Sequence, residues 1–250
     1  MRRLVLISLL LLAGAACEGE DRAGPAPSPS PRGAAPTPSA SPPPSSPTPT
    51  PSPRPIPPAW AEPIEEDLTP AEVPDAALVP PDAELTGRTV LPAAGGLPDQ
   101  IAVTYAIGPD PFAREHGFAL WERFPEPPAW SVVLAFVDPP DRGVLGIRLG
   151  SGDLTGDGHD DVLVFEETGG TGACGTWRVV TGAGTDAGAV FGRKTCDAEL
   201  LIRGGALELR EAVFEPGDPH CCPSAFRYAT LEWNGRRFVE TASRLEPVDG

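Results

Sequence analysis

Asp153, Asp157, Asp160 and Asp161 fall within nine residues of one another, with Gly156 and Gly158 among them, and the chain then runs straight into Val162-Leu163-Val164-Phe165. Carboxylates this close repel one another unless something cationic lies between them. Counted from Asp153, the alternate positions are Asp153, Thr155, Asp157, His159 and Asp161, and Gly158 stands sixth. This is the spacing of a calcium loop of the D-x-D-x-D-G-x-x-D kind. Hard Ca²⁺ takes about six to eight oxygens at about 2.3–2.6 Å. Asp153, Asp157 and Asp161 would supply carboxylate oxygens, Thr155 its hydroxyl and His159 its main-chain carbonyl, while Gly158 allows the sharp turn that aims them inward. The twelfth position is Val164 rather than the bidentate Glu of an EF-hand, and the loop feeds an apolar strand instead of a helix. Three carboxylates and a neutral hydroxyl point to an affinity of about 10⁻⁴–10⁻³ M, the range of extracellular modules. The competing arrangement of the same residues is a metal-free loop held by Asx turns.

The cysteines carry the second chemistry. Cys17 stands apart near the N-terminus, which leaves Cys174, Cys196, Cys221 and Cys222. An even number in an exported chain points to disulfides, with three connectivities open. Residues 174 to 196 read as two β-prone runs around a Gly/Thr/Asp turn centred near residue 185, so folding the hairpin sets Cys174 opposite Cys196. The adjacent pair Cys221-Cys222 is flanked by Pro219 and Pro223, which suits the tight turn of a vicinal disulfide; cross-links from each to 174 or 196 are the rival. No G-x-S-x-G, H-E-x-x-H or phosphate-binding glycine loop is present, and the Gly-rich stretch 168–175 joins two strands. His116, His159 and His220 each fall in an expected loop, and His220 with its neighbouring cysteines lacks metal-site spacing. Glu166 and Glu167 are consecutive on a strand, so they point to opposite faces and make a poor acid–base pair. Enzymatic activity is not expected. The alternatives are an envelope hydrolase with a site built from scattered residues and a redox sensor that uses Cys221-Cys222.

These residues must be held by a β framework. Short β-prone runs broken by Gly and Pro occupy 100–107, 117–124, 130–137, 143–149, 161–167, 175–181, 187–192, 206–215, 225–233 and 236–242. Asn234-Gly235 between the last two signals a type I′ hairpin. The fold expected is all-β, antiparallel meanders forming a small open propeller-like or two-sheet domain. The run from Gln100 to Phe136 lines up with that from Asp161 to Phe191 at an offset of about 61 residues, and 206–240 has a similar rhythm. The only helical pattern is 69–78, with Thr69 as cap and Pro70 at the first position, limited by Pro74.

Upstream of this domain the composition changes. Sixteen of the 34 prolines lie between Pro25 and Pro58, in a segment with almost nothing apolar to bury. Such a segment is expected to stay extended and disordered, reaching roughly 100 Å as a polyproline II spacer. The first seventeen residues carry Arg2 and Arg3, an apolar run from Leu4 to Ala16 too short to span a bilayer, and then Cys17. This is the layout of a secretory signal peptide. The organisation expected is a signal peptide (1–16), a lipidated N-terminus with a Pro/Ser-rich linker (17–59), an acidic linker with a possible short helix (60–84) and a β domain (85–250). The net charge of −16 and the lack of a basic stripe exclude nucleic acid as an expected partner.

Two resemblances extend this reading. Gly14-Ala15-Ala16-Cys17 resembles the lipobox of bacterial lipoproteins, although Gly14 stands where Leu is usual. The resemblance implies acylation of Cys17 with diacylglycerol and anchoring in membrane lipid on the extracytoplasmic face of the cell membrane, each buried methylene adding about 0.8 kcal/mol. The stretch Asp153–Asp161, followed by an apolar strand, resembles the integrin-like FG-GAP/VCBS repeat with its D-x-[NT]-G-D-G-x-x-D loop. It implies a Ca²⁺ loop that stabilises one β unit, with Asp153, Thr155, Asp157, His159 and Asp161 as ligands. The equivalent place in the first repeat, 95–100, lacks the carboxylates. The C-terminal segment from Pro219 to Phe238 also resembles the CCPS endings of LppP/LprE-type envelope lipoproteins, which adds a location and a cell-wall or protein partner of unknown kind. Together these imply a non-catalytic, calcium-stabilised lipoprotein domain with a structural or ligand-binding role at the cell envelope.

Overall fold

The computed structural model describes residues 59–170 and 172–248. The expected signal peptide, Cys17 and residues 17–58 of the Pro/Ser-rich segment lie outside the described residues. The described part is all-β. Twelve antiparallel strands form three four-stranded sheets, each a meander in sequence order. The first sheet comprises β1 (Glu84–Leu91), β2 (Gln100–Ile107), β3 (Glu115–Pro125) and β4 (Pro128–Asp138). The second comprises β5 (Gly146–Gly152), β6 (Asp161–Gly169), β7 (Cys174–Thr181) and β8 (Gly188–Thr195). The third comprises β9 (Ala198–Arg203), β10 (Ala206–Val213), β11 (Ala225–Trp233) and β12 (Phe238–Pro247). The architecture is therefore three meanders without a closed barrel, not two facing sheets. The 61-residue offset relates β2 to β6, the second strand of each of the first two meanders.

Period-two alternation explains how the sheets stack. In β3, Phe118 and Leu120 join Ala102, Leu134, Ile147, Val162, Val164 and Val180 in a core between the first and second sheets. Their neighbours Ala119 and Trp121 lie in a different core on the opposite face. In β6, Val162 and Val164 serve the first of these cores, while Leu163 and Phe165 pack with Trp177, Val179, Leu200, Leu207, Leu209 and Leu231 between the second and third sheets. The second sheet is thus buried on both faces, which is why Val162-Leu163-Val164-Phe165 reads as an unbroken apolar run. β5, the first strand of its sheet, lies against β1 on one side and β9 on the other, so the three leading strands gather inside the stack.

The two ends of the stack are finished differently. On the outer face of the first sheet, Trp60, Ile64, Leu68, Val73, Leu78 and Val79 pack over Trp121 and Trp130. Trp121 donates its indole N–H to the Leu78 carbonyl (3.0 Å) and Trp130 donates to that of Leu68 (3.0 Å). The segment 60–84, read from sequence as an acidic linker with a short helix, is therefore the cover of this sheet, and its only helical turn is the 3-10 turn Asp75–Ala77. On the outer face of the third sheet, the Arg210 guanidinium lies 3.8 Å from the Phe226 ring centroid and that of Arg244 lies 4.2 Å from the Tyr228 ring centroid. These cation–π pairs give the last sheet a charged outer surface, as terminal repeats need.

Two local expectations change. Trp233 pairs with Phe238 across a four-residue connection, in which the Asn234 side chain accepts the N–H groups of Arg236 and Arg237, so Asn234-Gly235 does not form a two-residue type I′ turn. His116 lies in β3 and is buried, not in a loop.

Candidate functional site

The loop from Asp153 to Asp160 joins β5 to β6, the leading two strands of the second sheet. Its core-facing anchor is Leu154, which is buried with Leu163, Leu200 and Leu207. The backbone turns at Gly156 (φ 75°) and Gly158 (φ 86°), left-handed conformations that an L side chain disfavours. The carboxylates turn onto the loop's own amides. Asp153 Oδ1 accepts the N–H of Gly156 (2.7 Å), and Oδ2 accepts that of Gly158 (3.1 Å). Asp157 Oδ1 accepts the His159 N–H (2.9 Å). Asp161 Oδ2 accepts the N–H groups of Leu154 and Thr155, both at 2.8 Å. The Thr155 hydroxyl lies 3.5 Å from Asp161 Oδ1.

Asp161 is only 2 % exposed. Burial pushes its carboxyl above the usual carboxylate range, against the opposing pull of hydrogen bonds from Thr181, Leu154 and Thr155. A buried carboxylate on which charge is expensive gains most from a cation. The donors present are those of a hard divalent ion: three carboxylates, a hydroxyl and main-chain carbonyls. A carboxylate oxygen that accepts one N–H keeps further acceptor capacity. Among the described residues, however, no three His, Cys, Asp or Glu side chains are gathered into a metal-holding group. The loop is held by its carboxylates accepting its own amides, the bonding of the Asx-turn arrangement.

This loop also joins the three sheets. A Cβ placed on Gly95, in the β1–β2 connection, would come within 2.3 Å of the Asp157 carbonyl oxygen. His159, itself buried, sets its Nε2 3.3 Å from the carbonyl of Pro98 in the same connection. On the other side, a Cβ on Gly205 in the β9–β10 turn would lie 3.3 Å from the Asp153 carbonyl oxygen. The connection between the first and second strands of every sheet thus meets at one place, with the acidic loop in the middle. Sequence spacing marked Asp153, Thr155, Asp157, His159 and Asp161, but Gly95, Pro98, Thr181 and Gly205 carried no signal because their role exists only once the sheets stack.

Other polar groups are buried away from the loop. Between the first and second sheets, Glu166 is bidentate with Arg178 (2.8 and 3.1 Å), and Asp138 pairs with Arg142. Glu166 and Glu167 do lie on opposite faces: Glu166 is 1 % exposed, whereas Glu167 faces Arg148 near the surface. A groove of about 500 Å³ opens between the second and third sheets, lined by Arg148, Phe165, Trp177, Leu200 and Ile202 among others. Cys174 and Cys196 form the expected disulfide across the end of the β7–β8 hairpin. Cys221 and Cys222 are not joined; their sulfurs lie 2.8 Å apart in an exposed loop. No protein-family model, curated protein or solved structure matches the chain.

Proposed function

We propose that this protein is a lipid-anchored, exported, non-catalytic envelope protein whose β domain binds one calcium ion in the loop Asp153–Asp161 and serves a structural or ligand-binding role. The carrying observation is the position of that loop: a segment with four aspartates in nine residues, one of them deeply buried, lies where the leading connections of all three sheets meet. Calcium there would draw Asp153, Asp157 and Asp161 together with the Thr155 hydroxyl and the His159 carbonyl, and would fix the junction. The sequence features of residues 1–17 support export and anchoring through Cys17, and the net charge of −16 favours cations over anions at the surface.

Calorimetric titration tests the ion. Calcium added to the wild-type protein gives a saturable heat with a dissociation constant of about 10⁻⁴–10⁻³ M. Asp157→Ala, an exposed position whose loss leaves the core intact, abolishes that heat. An equal calcium response in both proteins refutes the site.

A further inference from the structure

The loop between β10 and β11 carries Cys221 and Cys222 at its tip, both exposed. This loop has a framework of its own. Asp218 Oδ2 accepts the N–H of Glu215 (2.7 Å), the N–H of Ser224 (3.1 Å) and the Ser224 hydroxyl (2.6 Å). These bonds hold the Asp218 carboxyl below its ordinary range, led by the Ser224 hydroxyl. The Cys222 N–H donates to the Pro219 carbonyl (2.9 Å), closing a turn around the two cysteines. The His220 ring lies against Phe214, with centroids 5.8 Å apart. None of these contacts depends on a sulfur–sulfur bond. The clamp nonetheless holds the two sulfurs 2.8 Å apart, within about 1 Å of bonding distance.

We propose that Cys221 and Cys222 form a reversible thiol–disulfide exchange site that takes low-molecular-weight or protein disulfides as oxidants and thiols as reductants. On oxidation, the thiolate of one cysteine attacks a sulfur of the incoming disulfide, forms a mixed disulfide and releases one thiolate. The second cysteine then attacks its neighbour's sulfur, closes the Cys221–Cys222 bond and releases the second thiolate. The two protons lost by the cysteines end on the two released thiols, and the two electrons go with them. Reduction runs the same steps backwards. The pair is suited to exchange and not to permanent cross-linking for two reasons. Adjacent Cα atoms across a trans peptide are held about 3.8 Å apart, below the usual span of about 4.4–6.8 Å, so the closed ring is strained and readily reduced. The sulfurs are also open to attack, and exposed, strained disulfides are the labile ones. Cys174–Cys196 has an equally short Cα–Cα span of 3.9 Å and an exposed Cys196, but it is flanked by the register pair Gly175 and Thr195 at the end of a strand ladder, which returns the two sulfurs to each other if the bond opens, whereas Cys221 and Cys222 lie in a turn outside any strand.

The test uses the full chain in detergent, equilibrated with glutathione and glutathione disulfide at graded ratios, quenched with acid, alkylated and digested with trypsin. Arg210 and Arg227 bound a peptide that contains both cysteines. In oxidising buffer the wild-type peptide should be two hydrogens lighter, with no attached glutathione. In reducing buffer it should take two alkyl groups while Cys174–Cys196 stays closed. Cys221→Ser and Cys222→Ser should each retain glutathione on the remaining sulfur, because the resolving partner is gone. Persistent glutathione on the wild-type peptide, disulfides between chains, or thiols that stay reduced throughout would each overturn the proposal. Because the readout is covalent state, it is independent of whether the acidic loop binds calcium.

Discussion

His116 is buried with neither ring nitrogen hydrogen-bonded, opposite Asp138 in the β3–β4 register. Burial, and then the charge of Arg114, lower its pKa from the ordinary 6.5. The unfolded chain therefore binds this proton more readily than the folded one, and stability falls as the pH drops below about 6.5. His116→Phe should remove that part of the acid sensitivity, read as a flatter denaturation midpoint between pH 7 and 5. Asp138 acts with the opposite sign. Burial, and then Glu166, raise its pKa, so stability rises as the pH falls through its folded value toward the ordinary carboxylate range. The Glu166–Arg178 pair supplies a second test. Arg178→Met leaves a buried carboxylate without its partner and should cost about 3–5 kcal/mol in chemical denaturation, whereas the double change Arg178→Met, Glu166→Leu should recover most of it. These roles were only half legible in the sequence. Alternation showed that Glu166 and Glu167 diverge, but nothing local revealed that Glu166 would be sealed under a neighbouring sheet beside Arg178 and Asp138.

At the scale of elements, the acidic loop and its neighbours are held by close backbone approach. Gly95 (φ 58°) and Gly96 (φ 87°) stand side by side, but only a Cβ on Gly95 would strike the Asp157 carbonyl, while one on Gly96 meets nothing. Gly96→Ala should cost about 1–2 kcal/mol, the left-handed backbone penalty alone. Gly95→Ala should cost clearly more and should also weaken any calcium response, as thermal melts with and without calcium would show. Strand positions were largely readable because ten runs carry β-branched and aromatic residues between Gly and Pro breaks, and β2 and β11 lie where the pattern put them. β1 and β9 were missed. Each leads its meander and lies at a sheet edge; in β1 the apolar residues are interrupted by Gly87 and Arg88, and β9 is a six-residue strand whose apolar run is only Leu200-Leu201-Ile202. The hairpin at 174–196 was legible from symmetry about its turn. The turn at Asn234 was misjudged because the Asn side chain caps the two following amides, which stabilises a longer loop than the dipeptide suggests.

For the whole molecule, three meanders stack openly, so each end needs a cover. The third sheet covers itself with arginine–aromatic pairs, but the first depends on residues 60–79. Deleting that segment should expose the ring faces of Trp121 and Trp130 and yield a protein that aggregates or melts at much lower temperature. A stack also explains why the sequence repeat was faint: facing sheets share cores of different composition, so rhythm persists while identity does not. Anchoring is tested by Cys17→Ser, which should move the protein from the detergent phase to the aqueous phase on partition. The most direct measurement of the central claim is thermal unfolding of the wild-type protein in chelator and in about 10 mM calcium. A dissociation constant of about 10⁻⁴–10⁻³ M corresponds to about 1.4–2.7 kcal/mol of added stability. For a domain of this size that is a rise in Tm of roughly 3–10 °C, absent in Asp153→Ala. An unchanged melting temperature in wild type would contradict the account and leave the loop as a metal-free turn.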